Sequence, residues 1–143
     1  MQSLTIICLQ CILFQVFGVE IPDTALTPED VECMLETNVD RKTLETFFDE
    51  DYQVVTGNPL MESYSECWNK KMNFVNVNGA FDFVKLQRYV IRDLFSNFSK
   101  KDVINKEEIA KSAVEQCKYI RGSNIGDLGS KIYNCIAKQI RLL

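Results

Sequence analysis

Pro59-Leu60-Met61-Glu62-Ser63-Tyr64-Ser65-Glu66-Cys67-Trp68-Asn69-Lys70-Lys71-Met72 is the stretch on which the reading of this chain turns. It follows a break with turn chemistry, Thr56-Gly57-Asn58-Pro59, and it sets Met61, Tyr64, Trp68 and Met72 at helical spacing with Cys67 on the neighbouring row. An amphipathic helix that brings a cysteine and large apolar side chains to the interior is predicted here.

The same period repeats on both sides, and strand signals do not. Upstream, Thr27-Pro28-Glu29-Asp30 offers an N-cap, a proline at the first helical position and acids in the first turn, opening a helix to about Glu36 that carries Cys33. A short second helix is expected to start near Asp40 and to end by Phe48. Downstream, Asn76-Val77-Asn78-Gly79 is a turn, Asp82 can cap the next helix, and Phe83, Leu86, Val90 and Leu94 form one apolar stripe. Asn105 with Glu108 suggests an Asn-type capping box, followed by the inward face Ile109, Ala113, Cys117 and Ile120. A last helix is expected from Asp127 to Ile140, with Leu128, Ile132, Cys135 and Ile136 facing in. The expected architecture is all-α, six helices in one domain over residues 19–143.

Residues 1–18 carry no charged side chain and an apolar centre too short for a comfortable membrane span, so they read as a signal peptide cleaved before Val19. Cleavage removes Cys8 and Cys11 and leaves Cys33, Cys67, Cys117 and Cys135. A secreted location, an even count and a short chain argue for two disulfides, with three pairings open. Each bond could stabilise the fold by about 3–4 kcal/mol in the chain-entropy model. The rest of the chain holds no second apolar run of spanning length, so membrane insertion after cleavage is not expected.

Composition excludes several function classes. The net charge is −4 and the basic residues are scattered, Arg41-Lys42, Lys70-Lys71 and Lys100-Lys101 being the basic pairs, so no nucleic-acid or polybasic membrane footprint is present. With no histidine, Ser-His and Cys-His catalysis is out of reach, and the four cysteines left after cleavage form no Cys-x-x-Cys to hold zinc. The segment 74–85 imitates a calcium loop in its middle, through Asn76, Asn78 and Gly79. Phe74 and Lys85 stand where its first ligand and its bidentate Glu are required. The acids Asp49-Glu50-Asp51 read as a solvated loop. No cofactor is implied and no enzyme is expected. Asn97-Phe98-Ser99 is a glycosylation sequon between helices.

Three features together resemble the insect odorant-binding protein family: the four cysteines; Cys67-Trp68-Asn69-Lys70-Lys71-Met72 followed by Asn78-Gly79, Phe83, Lys85 and Leu86; and Lys131-Ile132-Tyr133-Asn134-Cys135. The resemblance covers nearly the whole mature chain. It implies a six-helix, disulfide-clamped bundle around an apolar cavity, pairing Cys33 with Cys67 and Cys117 with Cys135. The family's remaining cysteine pair would fall at Ser63 and Gly126, so the chain resembles the four-cysteine "minus-C" subgroup. Losing that clamp is expected to loosen the third helix against the sixth.

The implied function is a secreted carrier of small hydrophobic ligands such as odorants or pheromones, with an odorant receptor as a candidate partner. Tyr64, Trp68, Met72, Phe74, Phe83, Leu86, Val90 and Tyr133 are the expected lining, the two tyrosines supplying hydroxyls. Such aromatic stripes otherwise serve as plain core, since the nine Phe, five Tyr and one Trp are spread over several helices. Only Ile136–Leu143 follows the last cysteine, too little for the cavity-filling tail helix of some members. Salivary scavenger proteins of blood-feeding flies share the fold and give the alternative, a site for biogenic amines or lipid mediators. Glu62, Glu66 and Glu115 are the candidate amine partners for it, although their helical phase is mostly outward.

Overall fold

A computed structural model describes residues 18–143. Except for Gly18, the expected leader, with Cys8 and Cys11, lies outside the described residues. The elements are α1 (Pro28–Thr37), α2 (Arg41–Thr46), α3 (Pro59–Lys71), α4, α5 (Lys106–Cys117) and α6 (Ile125–Arg141), preceded by a 3₁₀ turn at Asp23–Ala25. Helix α4 runs through three contiguous segments: Phe83–Tyr89, a π-helical turn Val90–Leu94, and Phe95–Asn97. Among the described residues there is no strand beyond two isolated bridges, Phe48 with Val54 and Val75 with Phe81.

Local chemistry sets the helix starts. Thr27 and Asp30 form a reciprocal capping box, the Asp30 N–H donating to Thr27 Oγ1 (3.2 Å) and the Thr27 N–H to Asp30 Oδ2 (2.7 Å). Asp40, Asn58 and Asp82 cap α2, α3 and α4 with their side chains. The capping box expected at Asn105 does not form. Asn105 sits at φ 62°, a left-handed conformation, and its side chain makes no cap hydrogen bond, leaving Glu107 and Glu108 to face the amino end of α5. Helix α6 begins two residues earlier than Asp127 because Asn124 accepts the Asp127 N–H at 2.9 Å. Helix α2 ends at Thr46, short of Phe48. In α4 the π-helical turn widens one turn of the expected stripe, and Leu86, Val90, Leu94 and also Phe95 are buried.

Both disulfides join helices. Cys33–Cys67 ties α1 to α3 and Cys117–Cys135 ties α5 to α6, with Cα separations of 5.7 and 5.9 Å. The α3–α6 seam carries no covalent tie and is nevertheless tight. A Cβ at Gly126 would stand 1.9 Å from the Glu62 carbonyl oxygen, and one at Gly129 would stand 2.4 Å from Asn69 Nδ2. These two glycines let the backbones close where side chains would hold them apart. Asn134 joins the loop before α3 to α6, accepting the Val54 N–H (2.7 Å) and donating to the Val54 carbonyl (2.8 Å).

The buried side chains form two clusters. One gathers Leu86, Val90, Phe95, Val114, Ile132 and Ile136, and the other gathers Cys33, Leu44, Phe47, Met61 and Tyr64. Trp68 and Tyr133 pack against both. Among the described residues, no helix is long and apolar enough to cross a membrane.

Candidate functional site

Between the two clusters lies a cavity of about 700 Å³. Helix α3 supplies Met61, Tyr64, Trp68 and Met72, α4 supplies Leu86, Tyr89 and Val90, and α6 supplies Ile132, Tyr133 and Ile136. The segment Ile21–Asp30 closes one side. That segment is pinned from below: the Ile21 N–H donates to Glu45 Oε1 (3.0 Å), and the Arg41 guanidinium donates to the Ile21 carbonyl and to Asp23.

Six of the eight expected lining residues, Tyr64, Trp68, Met72, Leu86, Val90 and Tyr133, stand on this wall, and Phe74 and Phe83 do not. Phe74 is buried behind the wall, edge-on to Trp68 (5.6 Å between centroids) and Tyr89 (5.5 Å), where it holds both rings in place. Phe83, the first residue of α4, packs on the α4–α5–α6 cluster beside Phe81. Phe81 takes the wall position instead.

Polar groups meet the cavity wall beside α1, and a second set is buried near the α3–α6 seam without opening onto the cavity. At the α1 side, the Tyr64 hydroxyl donates to Asp30 Oδ1 at 2.6 Å. Burial, with the Asp30 charge beside it, pushes the Tyr64 hydroxyl far above the usual tyrosine range. Burial does the same to Tyr89, helped by Tyr133 and Asp93, and to Tyr133, helped by Asp49. All three therefore stay protonated as donors. Glu29 and Asp93 join Asp30 on the wall, with Arg92 bonded to Asp93 (2.8 Å). At the α3–α6 side, Trp68 Nε1–H and Ser130 Oγ are buried without a hydrogen-bond partner among the described residues, Ser130 being 3% exposed.

None of the acids named for an amine site is on the wall. Glu62 accepts from Asn124 Nδ2 (2.7 Å), while Glu66 pairs with Lys70 and Glu115 with Lys118 on outer helix faces. The cavity's own acids were hidden by a second role. Asp30 reads in sequence as a first-turn acid, and it completes the capping box with Thr27, but the same carboxylate also meets Tyr64. Tyr89 and Ser130 carry no sequence signal beyond helical phase next to Val90 and Ile132. Among the described residues no group of His, Cys, Asp and Glu is arranged to hold a metal ion. The Asn76 carboxamide accepts from the Asn78 and Ala80 N–H groups (2.9 and 3.1 Å), so the calcium-like segment is a plain turn.

Chemically the arrangement is a container, with an apolar wall, a few oriented donors and a carboxylate-bearing rim. Residues 25–139 match the family model described as the PBP/GOBP family, a span well over half of the chain. No curated protein and no solved structure matches the chain.

Proposed function

The chain belongs to the PBP/GOBP family of small odorant- and pheromone-binding carriers, and from that premise we propose that it is a secreted carrier that holds a small hydrophobic ligand in its central cavity. The observation that carries this reading is the 700 Å³ space whose apolar walls come from both core clusters, within the size range of small-molecule sites. Transfer of an apolar ligand from water into it is favourable by about 25 cal/mol per Å² of apolar surface buried. Tyr64, Trp68, Met72, Leu86, Val90 and Tyr133 are the proposed contacts. The wall is mainly apolar, so the ligand that fits best has a predominantly apolar body. Residues 1–18 are proposed to direct the chain into the secretory route and to be removed before Val19, which N-terminal sequencing of the exported protein checks.

Competition binding on the oxidised protein tests the carrier reading, with an apolar fluorescent probe displaced by a panel of alkanes, alkanols, esters, fatty acids and amines. Micromolar displacement by oxygenated lipophiles supports it. A folded protein that takes up no probe would end it. A second reading, an amine scavenger, is favoured by Glu29, Asp30 and Asp93 lying on the wall with Tyr89. Displacement by amines alone would select it.

A further inference from the structure

We infer that Asn97 carries an N-linked glycan that stands over the mouth of the cavity and slows ligand exchange, an inference that rests on the secretory part of the proposed function. Asn97-Phe98-Ser99 is the only sequon in the sequence: no other asparagine is followed two positions later by Ser or Thr. Its placement suits the chemistry. Asn97 ends α4 and is exposed, and its carboxamide makes no hydrogen bond among the described residues. Ser99 is exposed in the turn that leaves the helix, at φ 57°, its N–H donating to the Ser96 carbonyl at 3.0 Å. Phe98, between them, turns inward and packs edge-on to Tyr52, ring centroids 6.1 Å apart. The middle residue thus anchors the turn while the acceptor and the hydroxyl residue face outward.

The same turn borders the cavity. Asn97 and Phe98 are part of its wall, as are the exposed residues Pro22, Thr24 and Ala25. In the modification, Asn97 Nδ2 attacks C1 of the first sugar of a lipid-linked oligosaccharide. The C1–N bond forms, the bond from C1 to the lipid pyrophosphate breaks, the lipid pyrophosphate leaves and one amide proton is released. A hydrated glycan fixed at this exposed part of the wall narrows the approach to the cavity. Both association and dissociation slow, and the equilibrium affinity changes little.

The test expresses the full chain, its Asn97→Gln variant and its Ser99→Ala variant in insect cells and collects the medium. The expected results are an intact mass that exceeds the chain mass by a glycan in the parent and by nothing in either variant, and a probe dissociation rate several-fold slower in the parent than in Ser99→Ala at equal affinity. Exported parent protein at the unmodified mass that still binds the probe would overturn the glycan and leave the carrier reading standing. A glycosylated parent that exchanges as fast as Ser99→Ala would overturn the gating role. Retention of unmodified chain inside the cell would overturn both the glycan and the secretory reading.

Discussion

Gly126 of α6 lies against the carbonyl of Glu62 in α3, so closely that a Cβ would sit 1.9 Å from the oxygen and 2.8 Å from the Glu62 Cα. The obstacle is backbone, which cannot rotate away as a side chain can. Gly126→Ala should therefore destabilise the protein by roughly 3 kcal/mol, against the ~1 kcal/mol that alanine would normally gain inside a helix. A urea melt measures it, and an unchanged midpoint would mean that the two helices can part without cost.

Asp30 and Tyr64 couple α1 to the cavity wall. Tyr64→Phe deletes a hydrogen bond to a carboxylate and should cost about 1.5–3 kcal/mol. Asp30→Ala should cost more, because the capping box with Thr27 goes as well. Thermal denaturation of both variants, with the double variant, gives the coupling between the two groups.

The pH profile should fall at both ends. Tyr64, Tyr89 and Tyr133 titrate above the usual value near 10 because burial disfavours the phenolate. A raised acid pKa contributes stability that is complete below the unfolded value and lost as pH rises through and above it. Stability should thus drop from about pH 10 upward. Absorbance near 295 nm should show these three tyrosines ionising only as the protein unfolds. At the acid end, the Lys131 ammonium and the Ser123 N–H hold Asp127 below the usual carboxylate range. Its contribution is present above about pH 4 and is lost as pH falls below that.

The two disulfides should differ in what their loss affects. Replacing either pair by alanines should cost about 3–4 kcal/mol in the chain-entropy model. Cys33–Cys67 holds α1, whose Glu29 and Asp30 stand on the cavity wall, so its removal should also weaken probe binding. Cys117–Cys135 ties α6 to α5, which supplies no wall residue, so its removal should weaken binding by the folded fraction less than removal of Cys33–Cys67 does.

The helices and most of their starts were legible from local chemistry, because a cap such as Thr27 or Asp82 acts within three residues of itself. Period alone also placed Tyr64, Trp68 and Val90 on the correct face. Phe74 and Phe83 escaped it because each lies at a helix boundary, where phase no longer predicts direction, and the Val75–Phe81 bridge reassigns the wall to Phe81. The Asn105 cap failed because a cap residue must be extended, and the left-handed backbone there is set by the preceding turn. Gly126 and Gly129 had no local signature of their role, since a close approach belongs to two helices at once.

Trp68 and Tyr133 pack against both apolar clusters with the cavity between those clusters. A bound lipophile would then act as a keystone, filling the gap between two half-cores and adding contacts to each that neither makes alone. Occupancy and cooperativity are thereby linked: the loaded molecule should melt as one unit at a temperature that climbs with the logarithm of ligand concentration once that concentration exceeds Kd. The empty one would keep a seam along which α1 and α2 can breathe independently of α5 and α6.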